Sequence, residues 1–383
     1  MTSKELMCLH IGQAGNQIAE SVWELMCLEH GLSPDGICED PKDGNMDVMY
    51  SETEKGEHRA RSLFFDFDQA AIDRLRKHKY KKIFKPNLLI NGKGNAGSCY
   101  SIGYANLGSS FIENVMNNIR KEAELCDTFL GFVMFHSISG GTGSGFSSYL
   151  LDMVKQEYPN KQLFTYSLIP SPNISNIVVE PYNAVLAMRD LGELSDVNFL
   201  LDNEKMYSIL RDQLNIESPS YADVNKIIAH TFSHITSDMR FKGGSNSALY
   251  DFAVNVLPYP RLHFLSLAYC PIISRNKPIF DELSTYEITK KSFEQSSSLA
   301  SFLPDKGQYL GINLVYRGDV NQKDALSAIN EIKLNKRIKF FEGGPTGIKI
   351  LANPMECKYF PDTEMKKSPR SLCKVANNTA IEI

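Results

Sequence analysis

The sequence predicts an α/β fold, a parallel sheet with helices on both faces, followed by a long helix and a smaller second domain. Three observations predict it. Up to about Asn203, apolar strand-like runs alternate with helical faces, as crossover-connected parallel strands require. A glycine-rich turn, Ser139 to Gly145, joins one such strand to one such helix. A long amphipathic stretch beyond it divides the chain, and different patterning follows.

Each element can be justified in turn. Leu6 to Ile11 is a strand, and Ile18, Val22, Leu25 and Met26 mark the helix face after it. Residues 33–60 are polar and rich in Asp, Glu, Gly and Lys, so they read as a surface loop. Leu63 to Phe67 is a strand; Phe111, Ile112, Val115 and Ile119 form a helix face. Leu130 to Phe135 is a buried strand, and Phe146, Tyr149, Leu150, Met153 and Val154 lie on one face of the following helix. Leu163 to Ile169 and Val197 to Leu201 are further strands. Val224, Ile227, Ile228, Phe232 and Ile235 define the long helix. Strands are then expected over Leu262 to Tyr269, Tyr309 to Tyr316, Gly347 to Leu351 and Leu372 to Val375, with helices near 284–295 and 322–333. Ligands of such sheets bind at the carboxyl ends of the strands, where the glycine-rich turn falls.

That turn has four glycines in six residues, Gly140, Gly141, Gly143 and Gly145. Strand, glycine turn and helix N-terminus together make an anion site, because free N–H groups and the helix dipole favour negative charge. Two familiar phosphate loops are excluded. Phe146 follows Gly145 where a Walker loop needs Lys and then Ser or Thr, and Phe146 also occupies the third glycine position of the dinucleotide fingerprint. An ordinary NAD-dependent enzyme therefore fits poorly. Hydroxyls at Ser137, Thr142 and Ser144 remain as further donors.

Composition excludes other classes. The 383 residues are 43% hydrophobic and 22% charged, ordinary for a globular protein with room for two domains. No run of apolar residues is long enough to span a bilayer, and Glu5, His10 and Gln13 interrupt any signal-like stretch. A net charge of −4 gives no support for nucleic-acid binding. The eight cysteines include no Cys-x-x-Cys pair, so a zinc site is not expected and a reduced cytosolic protein is.

The glycine-rich turn resembles the signature loop of the tubulin and FtsZ family. Gly12-Gln13-Ala14-Gly15-Asn16-Gln17-Ile18 is similar to the family's first nucleotide loop, and the helix through Trp23 and His30 to the one that follows it. Val178 to Asn183, Asp202-Asn203-Glu204, Leu257 to Arg261, Tyr316 to Val320 and Asn378 to Ile381 stand in the family's order. A long insert, Cys357 to Arg370, is similar to that of the family's α class. The resemblance implies a GTP-binding domain over 1–220, a central helix over 221–240 and an intermediate α+β domain over 241–383. The family's C-terminal helical domain and acidic tail would be absent.

It also implies function: a structural subunit that binds GTP and Mg2+, pairs with β-tubulin and stacks head to tail into microtubules of the cytoplasm and cytoskeleton. Microtubule-associated proteins would be further partners; nucleic acid and membrane would not. The alternative is a degenerate paralogue that binds GTP in a regulatory role without polymerising. Ser137, Gly141, Thr142 and Gly143 would contact the phosphates, Gln13 would reach the nucleotide across the first loop, and Asn176 and Glu180 would face the ribose. Asn203 and Asn225, with Tyr221 stacking, would read the base, because an amide pairs with both the carbonyl and the N–H of guanine. Asp68 would contact Mg2+, through water because it is a methylene shorter than the family's Glu, with Asp66 nearby. At most the chain is a GTPase of tubulin type, in which Asp251 would act on the GTP of the partner subunit. Four departures bear on this. Asp251 replaces a Glu, Ala248 and Asn95 replace Asp, and Ser139 replaces a glycine, so the serine would be strained if its position needed positive φ.

Overall fold

The computed structural model describes residues 4–40, 44–171, 177–242, 249–276, 283–334, 338–344 and 347–381. The chain divides into two units, Met1–Asn198 and Phe199–Ile383. The long helix expected over 221–240 falls inside the second.

In the first unit the strands are β1 (Glu5–Ile11), β2 (Tyr50–Glu52), β3 (His58–Ala60), β4 (Ser62–Asp66), β5 (Leu89–Asn91), β6 (Phe129–Ser137) and β7 (Gln162–Ile169). Its helices are α1 (Gly12–His30), α2 (Gln69–Lys77), α3 (Gly108–Glu124), α4 (Ser147–Glu157) and α5 (Glu180–Leu194). The strands β5-β4-β1-β6-β7 lie side by side, every pairing parallel. Both faces are covered, so β1, β4 and most of β6 are buried along their length. On one face Phe64, His10, Phe135 and Tyr166 occupy matched positions of four neighbouring strands and stack ring on ring, with centroids 5.1, 4.9 and 4.8 Å apart. Trp23 of α1 closes on this ladder and donates its indole N–H to His10 Nε2 at 3.2 Å. On the other face Phe65 stacks against Phe146 at 4.0 Å and lies 6.4 Å from Phe111 of α3.

The expected surface loop over 33–60 is only partly that. It contains the antiparallel hairpin β2–β3, with Val48, Met49 and Tyr50 buried. Tyr50 meets Trp23 edge-on at 5.4 Å, so three apolar residues fold a polar segment back onto α1. Periodicity also misses the three-residue strand β5.

From β8 (Val197–Asp202) the chain enters the second unit. There follow α6 (Asn203–Leu214), α7 (Tyr221–Arg240), α8 (Leu249–Val256), β9 (Phe264–Cys270), α9 (Thr285–Ser292), β10 (Tyr309–Gly318), α10 (Gln322–Leu334), β11 (Ile348–Asn353) and β12 (Arg370–Asn378). The strands run β9-β12-β10-β11, antiparallel except for β10 with β11. Period-two alternation along β10 assigns its faces. Ile312, Leu314 and Tyr316 join Ile288 of α9 and Ala325 and Ile329 of α10 in one core. Arg317 points the other way and donates to Ser233 Oγ of α7 at 2.6 Å. Capping boxes at Ser220/Asp223 and Ser284/Glu287 start α7 and α9. This is the α+β arrangement expected.

Candidate functional site

The site begins where β6 ends. After Ser137 the chain passes through Ser139 and Gly140, then enters a single π turn, Thr142–Phe146, that continues directly into α4. A helix start leaves its first N–H groups without intrahelical acceptors. Here the N–H groups of Gly140, Gly141, Thr142 and Gly143 find no acceptor among the described residues, whereas Ser144 already donates to Gly140 O at 2.8 Å. Four successive unfilled amides stand at the carboxyl end of a parallel sheet, at the start of the turn that runs into α4. Unfilled amides at a helix start favour an anion such as phosphate.

The four glycines do different work. None has positive φ, and neither has Ser139, so Ser139 carries no backbone strain. A Cβ on Gly141 would lie 2.7 Å from Cys99 N; on Gly143, 2.6 Å from Ser137 O; on Gly145, 2.1 Å from Tyr100 O. Those three glycines are required by backbone packing. Only at Gly140 would a Cβ meet nothing within 4 Å, so only there is the backbone left open to a ligand. Gly12, at φ +74°, brings the start of α1 against the same turn, its Cβ position 3.1 Å from Gly143 N.

Side chains brace the turn from beneath. Buried His136 donates from Nδ1 to Gly143 O at 2.8 Å, and its Nε2 accepts from Ser167 Oγ at 2.9 Å, a hydroxyl that accepts in turn from Asn198 Nδ2 at 3.1 Å. Buried Asn183 of α5 donates to Ser98 O and Ser139 O, both at 2.7 Å, and accepts from Tyr100 N at 2.9 Å. It ties the 98–100 segment to the glycine turn. Neither role is visible in the sequence: Asn183 acts on backbone 44 to 85 residues away, and His136 on a carbonyl inside the turn that its own strand leads into. The available signal was that Asn183 ends the Val178 to Asn183 segment and His136 directly follows the strand that leads into the glycine turn.

Burial pushes the His136 ring down to about 4 and the His10 ring to about 3. Both must therefore stay neutral in the folded chain. In the unfolded chain they protonate near the ordinary value of about 6.5, so their contribution is complete above that pH and is lost as pH falls toward 4. The expected result is a flat unfolding midpoint above about pH 6.5 and a steep fall below it, each histidine costing on the order of 3 kcal/mol by pH 4. Urea unfolding across that range checks it.

The acidic pair separates into two environments. Asp66, at the end of β4, is buried; it accepts from Thr142 Oγ1 at 3.1 Å and from the Asp68 amide at 3.3 Å. Burial raises its carboxyl to about 6, and it has no ion-pair partner among the described residues. Asp68 is exposed and caps α2 by accepting from Ala70 N at 3.0 Å. A cavity of about 200 Å³ collects Gln13, Asn16, Gln17, Glu20, Asp68 and Arg74, and Asn16 Oδ1 is buried there with no partner among the described residues. Asn95 closes its own turn by accepting from Gly97 N at 2.8 Å. Ser137 Oγ is shared with Ser139 Oγ at 2.7 Å. Glu180 is buried in the first turn of α5. Asn176 lies outside the described residues, as does Ala248.

In the second unit, Asp202 rather than Asn203 caps α6, accepting from Glu204 N at 2.9 Å. The Asn203 amide is thereby released from capping, and its Oδ1 is buried with no partner among the described residues. Asn225 is buried on α7, and exposed Tyr221 meets Tyr207 edge-on at 6.0 Å. Asp251 stands exposed on α8, its carbonyl accepting from Asn255 Nδ2.

A parallel sheet with unfilled amides at its carboxyl end and an open glycine among them defines a phosphate-binding α/β protein. The chain belongs to the tubulin/FtsZ family. That family's GTPase domain matches residues 5–211, and the tubulin C-terminal domain matches residues 260–383. The chain is 39% identical to the tubulin alpha-1B chain of Physarum polycephalum over 383 residues, spanning 99% of this chain and 85% of that one. It is 41% identical to the tubulin alpha chain-like 3 of Mus musculus, spanning 99% and 87%. To the tubulin alpha chain of Trypanosoma cruzi it is 39% identical, spanning 99% and 85%. Membership of a GTPase-domain family implies that the nucleotide is GTP.

Proposed function

We propose that this chain is an α-tubulin-like structural subunit that holds GTP with Mg2+, pairs with a β-tubulin partner and stacks head to tail into cytoplasmic microtubules. The observation that carries the reading is the set of unfilled amides at Gly140, Gly141, Thr142 and Gly143 on a turn of the family's type. Those amides, with Gln13 and the Ser137 hydroxyl, would take the phosphates; Glu180 and Asn176 would take the ribose. Asn203, Asn225 and Tyr221 would take the base, and the unpartnered Asn203 Oδ1 fits a guanine N–H. Magnesium would supply charge neutralisation of the phosphates. Asp68 would reach it through water, and the buried carboxylate of Asp66, lacking a basic partner, suits a cation beside it.

Exposed apolar side chains support assembly. The first unit presents Val178, Tyr182 and Val185 at 88, 73 and 70% exposure, and the second presents Val254, Tyr259 and Leu262 at 55, 41 and 49%. Two different patches meeting head to tail extend a filament. Asp251 would then orient water on the partner's GTP. An Asp251→Ala variant is expected to keep its own nucleotide and to lower polymer-stimulated phosphate release about 100-fold. Unchanged release would remove the catalytic role. Copurification with β-tubulin, with bound nucleotide measured in the same sample, tests the whole reading: GTP or GDP near one per chain and co-sedimentation are expected. The regulatory alternative, which the shortened acid at Asp251 favours, predicts bound nucleotide without co-sedimentation.

A further inference from the structure

The first unit carries a run of like charge outside the nucleotide site. From Asp73 to Lys85 stand Arg74, Arg76, Lys77, Lys79, Lys81, Lys82 and Lys85 against the single acid Asp73, in a chain of net charge −4. The run spans the end of α2 and a 3-10 turn at Lys81–Ile83. Leu75, Tyr80, Ile83 and Phe84 between the charges are buried, so the segment is anchored and its basic side chains, Lys85 excepted, are exposed. Arg74 pairs with Glu20 at 2.7 Å, Arg76 with Asp73 at 2.8 Å, Lys82 with Asp35 at 2.9 Å and Lys85 with Glu122 at 2.6 Å. Lys77, Lys79 and Lys81 form no ion pair among the described residues. Burial and then the charges of Arg74 and Lys79 hold His78 below its ordinary value, a second sign of uncompensated positive potential. Lys77 and Lys79 line one groove, Lys79 lying 5.3 Å over the Tyr80 ring, and Lys81 follows two residues later; like charges so placed repel, and an anionic ligand relieves that repulsion.

The chemistry of the surface selects among anions. Arginines grip phosphate as a fork, but both arginines here are committed to carboxylates, and the free cations are lysines, which act as hydrated point charges. Glu20 and Asp73 line the same open groove, of about 710 Å³, as Arg74, Lys77, His78 and Lys79. They oppose a dense phosphate array. Tyr80 is buried, so no aromatic face is offered to a nucleic-acid base. The groove lining includes no large apolar side chain that could enter a bilayer. Carboxylates spaced along a flexible chain can meet the lysines while avoiding Glu20 and Asp73.

We infer that Lys77, Lys79 and Lys81 form a docking surface for an acidic polypeptide segment, rich in Glu or Asp, of a partner protein. This contact uses none of the residues assigned to the nucleotide, although its groove shares Glu20 and Arg74 with the cavity that holds Gln13 and Asp68. The contact is electrostatic, so it associates fast and weakens with salt. A fluorescein-labelled decaglutamate peptide titrated by anisotropy against the full chain tests it, at about 50 mM salt where screening is mild. The triple variant Lys77→Glu/Lys79→Glu/Lys81→Glu is expected to bind at least about tenfold more weakly, and the corresponding Gln triple to weaken in the same direction. A control of equal net charge, Lys121→Glu/Lys323→Glu/Lys349→Glu, is expected to bind like the parent. Thermal midpoints verify that the variants fold. The inference is overturned if the parent fails to bind the peptide or if the control loses as much as the triple. Tighter binding of duplex RNA or of phosphatidylserine vesicles than of the peptide, at matched charge, overturns it too.

Discussion

Replacing Gly145 with alanine is expected to lower the thermal midpoint of the first unit by about 10 °C, a cost of about 3 kcal/mol or more. The reason is geometric. The new methyl would sit 2.1 Å from Tyr100 O and 2.8 Å from Tyr104 N, and both are backbone atoms that no rotamer change can move. Relief requires the π turn at 142–146 to separate from the 100–104 segment, which also displaces the amides at Gly141 to Gly143. Nucleotide should be lost with stability. Gly140→Ala, one position before the first packed glycine, Gly141, is the contrast. Its methyl meets no protein atom within 4 Å, so the midpoint should hold while nucleotide retention through gel filtration drops. If both variants lost stability equally, the division of labour among the glycines would be wrong.

Replacing Asn183 with alanine is expected to cost about 3 kcal/mol, because three hydrogen bonds disappear and buried backbone groups are left unpaired. The Asn183 amide donates to two carbonyls, Ser98 O and Ser139 O, and accepts from one amide, Tyr100 N. Asp keeps the acceptor but loses both donations, so Asn183→Asp should resemble the alanine variant rather than the parent. Nucleotide should dissociate faster in both, since Ser139 immediately precedes the open glycine. Stopped-flow release of a fluorescent GTP analogue measures this; an unchanged rate would show that the turn holds its shape without the tether.

Much of the fold was legible because it depends on local periodicity. Leu130 to Phe135 and the helix face from Phe146 to Val154 appear in the structure as β6 and α4 with small shifts at their ends. The hairpin at 50–60 was not legible: its burial rests on Tyr50 reaching Trp23, which no local pattern encodes. The glycine turn was legible as an anion site, yet its glycines could not be sorted. A glycine in a sequence announces a missing Cβ and is silent about what that Cβ would strike. Asn183 was illegible because its partners are backbone atoms up to 85 residues away, and His136 because nothing in the sequence shows that its ring turns back onto the Gly143 carbonyl. Asn203 was readable as either a cap or a base contact, and the structure removes the first option by giving the cap to Asp202.

The indole of Trp23, set against the ring ladder, makes the molecule its own instrument. It is the only tryptophan in the chain, fully buried, with its N–H engaged by His10 and its edge against Tyr50. Emission excited selectively in the indole band therefore reports one location, where α1, β1 and the hairpin meet, and is blind to residues 199–383. Followed by that emission, denaturation yields the melting of the first unit alone, while circular dichroism averages over both. The gap between the two curves measures how cooperatively the units unfold, with no label attached.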